Sequence, residues 1–199
     1  MSKVAIALVH GHTPKWTQTS LFYFKTKKNK CESKIFVGLT WPEHPSVKAI
    51  TETSLGDGVT LVATERHNYH ARSLDEILDV VIEDGSFDYM FTTETDCRAV
   101  IDGWLDWFVE KMDADPEVGI VGWYWDEGRN HQNINPSATL YRVSMLKKYH
   151  EETKNNKSNV FYHLGRTEIR EVHDSKGVFS EKRGFKNPTP EQLKYVESG

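Results

Sequence analysis

The sequence predicts an α/β fold of one domain, a mainly parallel sheet with helices on both faces, and three observations carry that prediction. Short continuous apolar runs, among them Val4 to Val9, Ile35 to Leu39 and Phe87 to Phe91, have the pattern of strands buried on both sides. The segments between several of them place apolar residues at helical spacing. Strand and helix then alternate through at least four units, the order that builds parallel sheets. With 199 residues, 38% of them hydrophobic, the chain has enough apolar material for a single core without disulfide staples.

Each element has its own signals. Val4 to Val9 is bounded by Gly11 and Pro14. Thr13-Pro14 supplies an N-cap and a first-turn proline for a helix through Trp16, Leu21 and Phe24. Ile35 to Leu39 forms a second strand ending in Thr40-Trp41-Pro42. Val47 to Ile50 suggests a short helix before the Gly56-Asp57-Gly58 turn, and Val59 to Val62 a third strand. Ser73 and Glu76 have capping-box spacing, and Leu74, Ile77, Leu78, Val81 and Ile82 share one helical face that Gly85 closes. Phe87 to Phe91 runs into Thr92-Thr93-Glu94-Thr95-Asp96, with a helix expected from near Ala99. Ile101, Trp104, Leu105, Phe108 and Met112 lie on its apolar face, and it stops before Pro116. Val118 to Val121 leads into Trp123-Tyr124-Trp125. Beyond Ser137 a strand over Thr139 to Val143 and a helical piece over Met145 to Glu151 are expected, followed by polar sequence and a tail without periodicity.

The bulk composition excludes several classes. No apolar stretch approaches the roughly 20 residues that cross a bilayer, and the N-terminal run reads as a strand, not a signal peptide. Cys31 and Cys97 lie in no zinc or Cys-x-x-Cys spacing, which points to free thiols in a reducing, cytoplasmic setting. A net charge of −4 provides no global attraction to nucleic acid or an anionic membrane. The basic segments, Lys25 to Lys30 and Arg166 to Lys186, read as solvated surface.

Ligands of open α/β sheets bind beyond the carboxyl ends of the strands. The residues to inspect are therefore His10-Gly11-His12-Thr13, Thr40-Trp41-Pro42-Glu43, Arg66-His67-Asn68, Glu94-Thr95-Asp96 and Trp125-Asp126-Glu127. Glu94 and Asp96 are two residues apart after an apolar strand, so both carboxylates can aim at one point, where they repel unless a cation intervenes. Hard oxygen ligands favour Mg²⁺ or Mn²⁺. The same acids also suit solvated turn positions or helix caps.

The order and spacing of several segments carry a resemblance. These are Val59-Thr60-Leu61-Val62, Asn68-Tyr69-His70-Ala71-Arg72, Phe87-Asp88-Tyr89 into Glu94-Thr95-Asp96, and Pro116-Glu117-Val118-Gly119-Ile120-Val121-Gly122. Over residues 3 to 146 the chain resembles the family 2 glycosyltransferases of GT-A fold. The resemblance implies a GT-A-like nucleotide-sugar-binding core over 1–146 and a partly mobile C-terminal extension over 147–199 that completes the acceptor side. It implies that Glu94 and Asp96 hold the metal on the donor diphosphate, with His173 (or His163) as third ligand. Arg72 would reach the phosphates, His10, Gly11, His12 and Thr13 would border the nucleoside, and Asn68 and Thr95 would complete the donor contacts. Trp41 would stack and Glu43 would accept the uracil N–H of a UDP-sugar, Trp41 fitting core packing equally.

The family's aspartate at the first acidic position is glutamate here, and its Asp-x-x-Ser/Thr pattern after the second strand is replaced by Trp41-Pro42-Glu43. Asp126 and Glu127 are the nearest candidates for the catalytic base, and Trp123, Tyr124 and Trp125 suit stacking on a sugar or base. The acceptor would be a glycan, a small molecule or, as in compact phage enzymes of similar kind, a hydroxymethylated DNA base. Two other classes remain open: a non-catalytic GT-A-like binding domain, and a metal-dependent hydrolase using His10 and His12.

Overall fold

A computed structural model of the chain describes residues 1–11, 13–41, 43–52, 55–63, 70–125, 133–154 and 196–198, leaving aside the side chains of 123–137 and 152–198. Eight strands and five helices follow one another among these residues. They are β1 (Lys3–His10), α1 (Pro14–Thr26), β2 (Glu32–Leu39), α2 (Pro45–Thr51), β3 (Val59–Ala63), α3 (His70–Asp84), β4 (Tyr89–Glu94), β5 (Cys97–Ala99), α4 (Trp104–Asp113), β6 (Ile120–Trp125), β7 (Asn133–Arg142), α5 (Val143–Lys154) and β8 (Val196–Ser198). Six strands form one sheet in the order β3-β2-β1-β4-β7-β6. The first four are parallel, as the alternation of strand and helix predicts. β7 is the exception, running antiparallel to both β4 and β6. Only residues 126–132 separate β6 from β7, too few for the helical crossover a parallel neighbour needs.

The period of two along β1 divides the core. Val4, Ile6 and Leu8 face Leu21 and Phe24 of α1, Val47 and Ile50 of α2, and Trp104, Leu105, Phe108 and Met112 of α4. Ala5, Ala7 and Val9 face Leu74, Ile77, Leu78 and Val81 of α3 and Val143 and Leu146 of α5. The small residues on that side let α3 approach closely. A Cβ placed on Gly38 of β2 would stand 3.1 Å from Ile77 Cδ1 and 3.2 Å from Ser73 Cβ.

Four local expectations change. α3 begins at His70, three residues before the supposed cap, so Ser73 is an interior helical residue, fully buried against the sheet. The acidic turn is followed by the short strand β5 instead of a helix. α4 starts only at Trp104, after Gly103 turns the chain at φ +75°, and Ile101 precedes it. Thr13 does occupy the N-cap of α1 with Pro14 next, yet its hydroxyl makes no capping bond, and Trp16 of that helix is exposed. Within the terminal stretch expected as tail, Val196–Ser198 pairs antiparallel with β5. Among the described residues no helix is long and apolar enough to cross a membrane.

Candidate functional site

Parallel pairing brings three loops to one edge. Val9 stands opposite Glu94 and His10 opposite Leu39, so the loops after β1, β2 and β4 leave the sheet side by side. The Thr40 hydroxyl donates to the His10 carbonyl at 3.0 Å, joining two of them. Gly11 lies against the acidic turn: a Cβ there would be 3.9 Å from Thr95 Oγ1. α1 supports the turn from below. Its inward face carries Thr17, Ser20, Leu21 and Phe24, and the Ser20 hydroxyl is 2.6 Å from the carbonyl oxygens of both Thr95 and Cys97. The position of Glu94-Thr95-Asp96 is thus set by sheet register and by a buried serine.

Spacing alone does not align the two acids, since the strand stops between them. Residues i and i+2 share a face only while a strand continues, and β4 ends at Glu94. Asp96 lies in the turn, where its carboxylate accepts from the Cys97 thiol at 3.7 Å. Burial, with the charge of Asp96 added, pushes that thiol up to about 11, so Cys97 remains protonated. Glu94, at the end of β4, has its Oε1 3.7 Å from Nε2 of His70. Among the described residues no three His, Cys, Asp or Glu side chains are gathered closely enough to hold a metal ion.

His70 is the residue that the sequence-based reading passes over. It opens α3, and although its side chain is 35% exposed, the Nε2 atom itself is covered and has no hydrogen-bond partner among the described residues. Burial lowers its pKa and keeps the imidazole neutral. The one available sequence signal is its place at the start of a helix that follows a carboxyl-edge strand end. Its closeness to Glu94, 24 positions on, depends on the sheet. Arg72 stands in the first turn of α3, 56% exposed, with Nε 3.9 Å from Glu76.

His10 is placed differently from expectation. Its side chain is fully buried, with Nδ1 2.6 Å from Thr17 Oγ1 and Nε2 3.4 Å from Ser46 Oγ. Ser46 Oγ is also 2.7 Å from Nδ1 of His44, which accepts the Ser46 backbone N–H at 3.2 Å and caps α2. Because His44 Nδ1 is an acceptor, the consistent assignment has Ser46 donating to His44, His10 Nε2–H donating to Ser46, and Thr17 donating to His10. The imidazole is an internal tie between α1 and α2, with both nitrogens engaged. It neither faces a nucleoside nor offers a lone pair to the two-histidine metal site of a hydrolase, and what His10 brings to the edge is its backbone. Trp41 and Thr13 are exposed, as is Glu43, and the Trp41 ring packs against His44 with centroids 5.0 Å apart. His12, Asn68, Asp126, Glu127, His163 and His173 lie outside the described residues, as do the side chains of Trp123, Tyr124 and Trp125.

The chain matches no family model and no curated protein. Among solved structures, its fold is similar to that of the mannosyltransferase PcManGT from Pyrobaculum calidifontis in complex with GDP-Man and Mn²⁺, with a TM-score of 0.60 and 12% identity over 89% of this chain. The chain spans about half of that protein, 54% of its length. At that identity the likeness is one of fold, and the α/β sheet with its carboxyl-edge loops is of the kind found in a glycosyltransferase.

Proposed function

We propose that this chain is a glycosyltransferase that moves a sugar from a nucleotide-sugar donor to an acceptor, with the donor diphosphate at the carboxyl edge beside Glu94-Thr95-Asp96. The observation that carries this is the acidic turn ending a central strand directly against Gly11, on a fold similar to that of a transferase solved with GDP-Man and Mn²⁺. Glu94 and the covered imidazole nitrogen beside it, which has no hydrogen bond among the described residues, offer two donors to a divalent cation, with Asp96 in the adjoining turn and the remaining positions left to phosphate oxygens. Such a cation, Mn²⁺ or Mg²⁺, would neutralise charge developing on the leaving diphosphate.

The chain's own residues divide the remaining work. Gly11, without a side chain, leaves room for a phosphate near Thr95. Arg72, in the first turn of α3, and the positive end of that helix favour an anion. Trp41 and Glu43, exposed beyond the end of β2, would take the base. A Glu43 carboxylate accepts the single N–H of uracil or the paired N–H groups of guanine, so UDP- and GDP-sugars are both candidate donors. Asp126 or Glu127 would serve as base toward the acceptor, for which a glycan, a small molecule and a modified DNA base are the candidates. The net charge of −4 weighs against the last.

The test is release of nucleoside diphosphate from a panel of UDP- and GDP-sugars in Mn²⁺, with and without glycan acceptors. Turnover with at least one donor is expected, and its loss in Asp96→Ala. Donor binding without any turnover favours a binding domain, and no binding of any nucleotide-sugar rejects the proposal.

A further inference from the structure

We infer that His70 is a nitrogen ligand of the divalent cation at this site, acting with Glu94 and giving the site a preference for Mn²⁺ over Mg²⁺. The inference rests on the reading of the acidic turn as a cation site and adds a ligand from a different element. Nε2 of His70 and Oε1 of Glu94 are 3.7 Å apart, longer than a hydrogen bond. The separation lies between the two that donor atoms sharing one ion adopt, so a shift of under about 1 Å brings both onto a cation. With metal–ligand bonds of about 2.1 Å, neighbouring ligand atoms stand about 3 Å apart and opposite ones about 4.2 Å.

Nε2 is also covered from solvent while lacking a hydrogen-bond partner among the described residues, a costly state for a polar nitrogen unless something binds there. The ring is held in place by its helix: Leu74, Ile77 and Leu78, in the next two turns of α3, are fully buried against the sheet. The carboxylate is held at the end of β4 by pairing with β1. The two donors therefore sit on rigid elements of opposite origin and meet at the edge. Both ions favour oxygen, but Mn²⁺ accepts an imidazole nitrogen better than Mg²⁺, which holds to oxygen and its own water.

Pulsed electron paramagnetic resonance on the full chain with Mn²⁺ and GDP or UDP tests this directly. A histidine nitrogen coupling is expected, shifting when histidine is labelled with ¹⁵N, and disappearing in His70→Ala and His70→Gln. Two variants guard against one failing to fold, and thermal melting verifies each. Competition between metals should show the Mn²⁺ preference falling at least about tenfold in the variants, the scale of loss seen even for groups that only orient a ligand. Bound manganese without histidine coupling, or with a coupling that persists in both variants, overturns the role of His70 and leaves the acidic site standing. If the wild-type chain leaves manganese as the free aqua ion, the cation-site reading fails and this inference fails with it.

Discussion

His10 and His70 stand at the same edge of the same sheet, and their surroundings differ in one respect. Each nitrogen of His10 has a hydroxyl opposite it, from Thr17 and Ser46, and the chain of bonds continues to His44. Nε2 of His70 has a carboxylate at 3.7 Å and no hydrogen bond among the described residues. A polar group whose bonding is complete within the fold is scaffold, and one whose bonding is left incomplete beside a charge is where a ligand would be accommodated. The contrast separates the β1–α1–α2 side of the edge, which holds the loops in place, from the β4–α3 side, to which the proposed cation site belongs.

The largest expected effect comes from removing the satisfied histidine. His10→Ala leaves two buried hydroxyls without their partner and opens a cavity, so urea unfolding should show a loss of about 4 kcal/mol. A loss below about 1 kcal/mol would mean that the network is not structural. Leu78→Ala, on the fully buried face of α3, should cost about 3 kcal/mol and leave nucleotide affinity of the folded molecules intact. A loss of affinity in that variant would show that the position of His70 depends on packing two turns away.

Asp106 is a second saturated group, and it gives the comparison a pH dependence. Its carboxylate accepts the backbone N–H groups of Lys30, at 2.8 and 2.9 Å, and of Cys31, at 2.9 Å, fastening the basic segment to α4. Burial pushes its pKa up, but the backbone bonds from Cys31 and Lys30 outweigh it and hold the group below its ordinary 3.8. A carboxyl whose folded pKa is depressed stabilises the fold above its unfolded pKa, and that contribution is lost as pH falls through the folded value. Asp106→Asn should cost about 1 kcal/mol at neutral pH and flatten the decline in stability below about pH 4. An unchanged acid limb would remove Asp106 from the saturated class. The smallest stability effect belongs to His70→Ala, expected within about 0.5 kcal/mol because no hydrogen bond among the described residues is lost. A loss as large as that of His10→Ala would erase the distinction between the two histidines.

Much of this arrangement is legible in the sequence, and the part that is not shares one cause. The continuous run Val4 to Val9 marks a central parallel strand, and the apolar face of α3 marks its helix, because both are local patterns. Ser73 misleads as a cap because its spacing to Glu76 also occurs inside helices, and only the packing against Gly38 shows which case applies. β5, three residues long, has no periodicity to detect, and the reversed β7 between β4 and β6 follows from pairing across the sheet. At the site, the acidic turn was visible as acids after a strand. The roles of the two histidines were not: Ser46 lies 36 positions from His10, and Glu94 lies 24 from His70. The sequence pattern puts Arg72 just before a cap, whereas it stands within the first turn, still at the positive end of the helix.

The measurement that bears most directly on the proposed site is calorimetric titration of UDP and GDP into the chain, in Mn²⁺ and in EDTA, for wild type and for Glu94→Ala. The account predicts binding of at least one nucleotide in Mn²⁺, a large loss of affinity in EDTA, and the same loss in Glu94→Ala at unchanged melting temperature. Equal affinity with and without metal, or full metal-dependent affinity in Glu94→Ala, would contradict it.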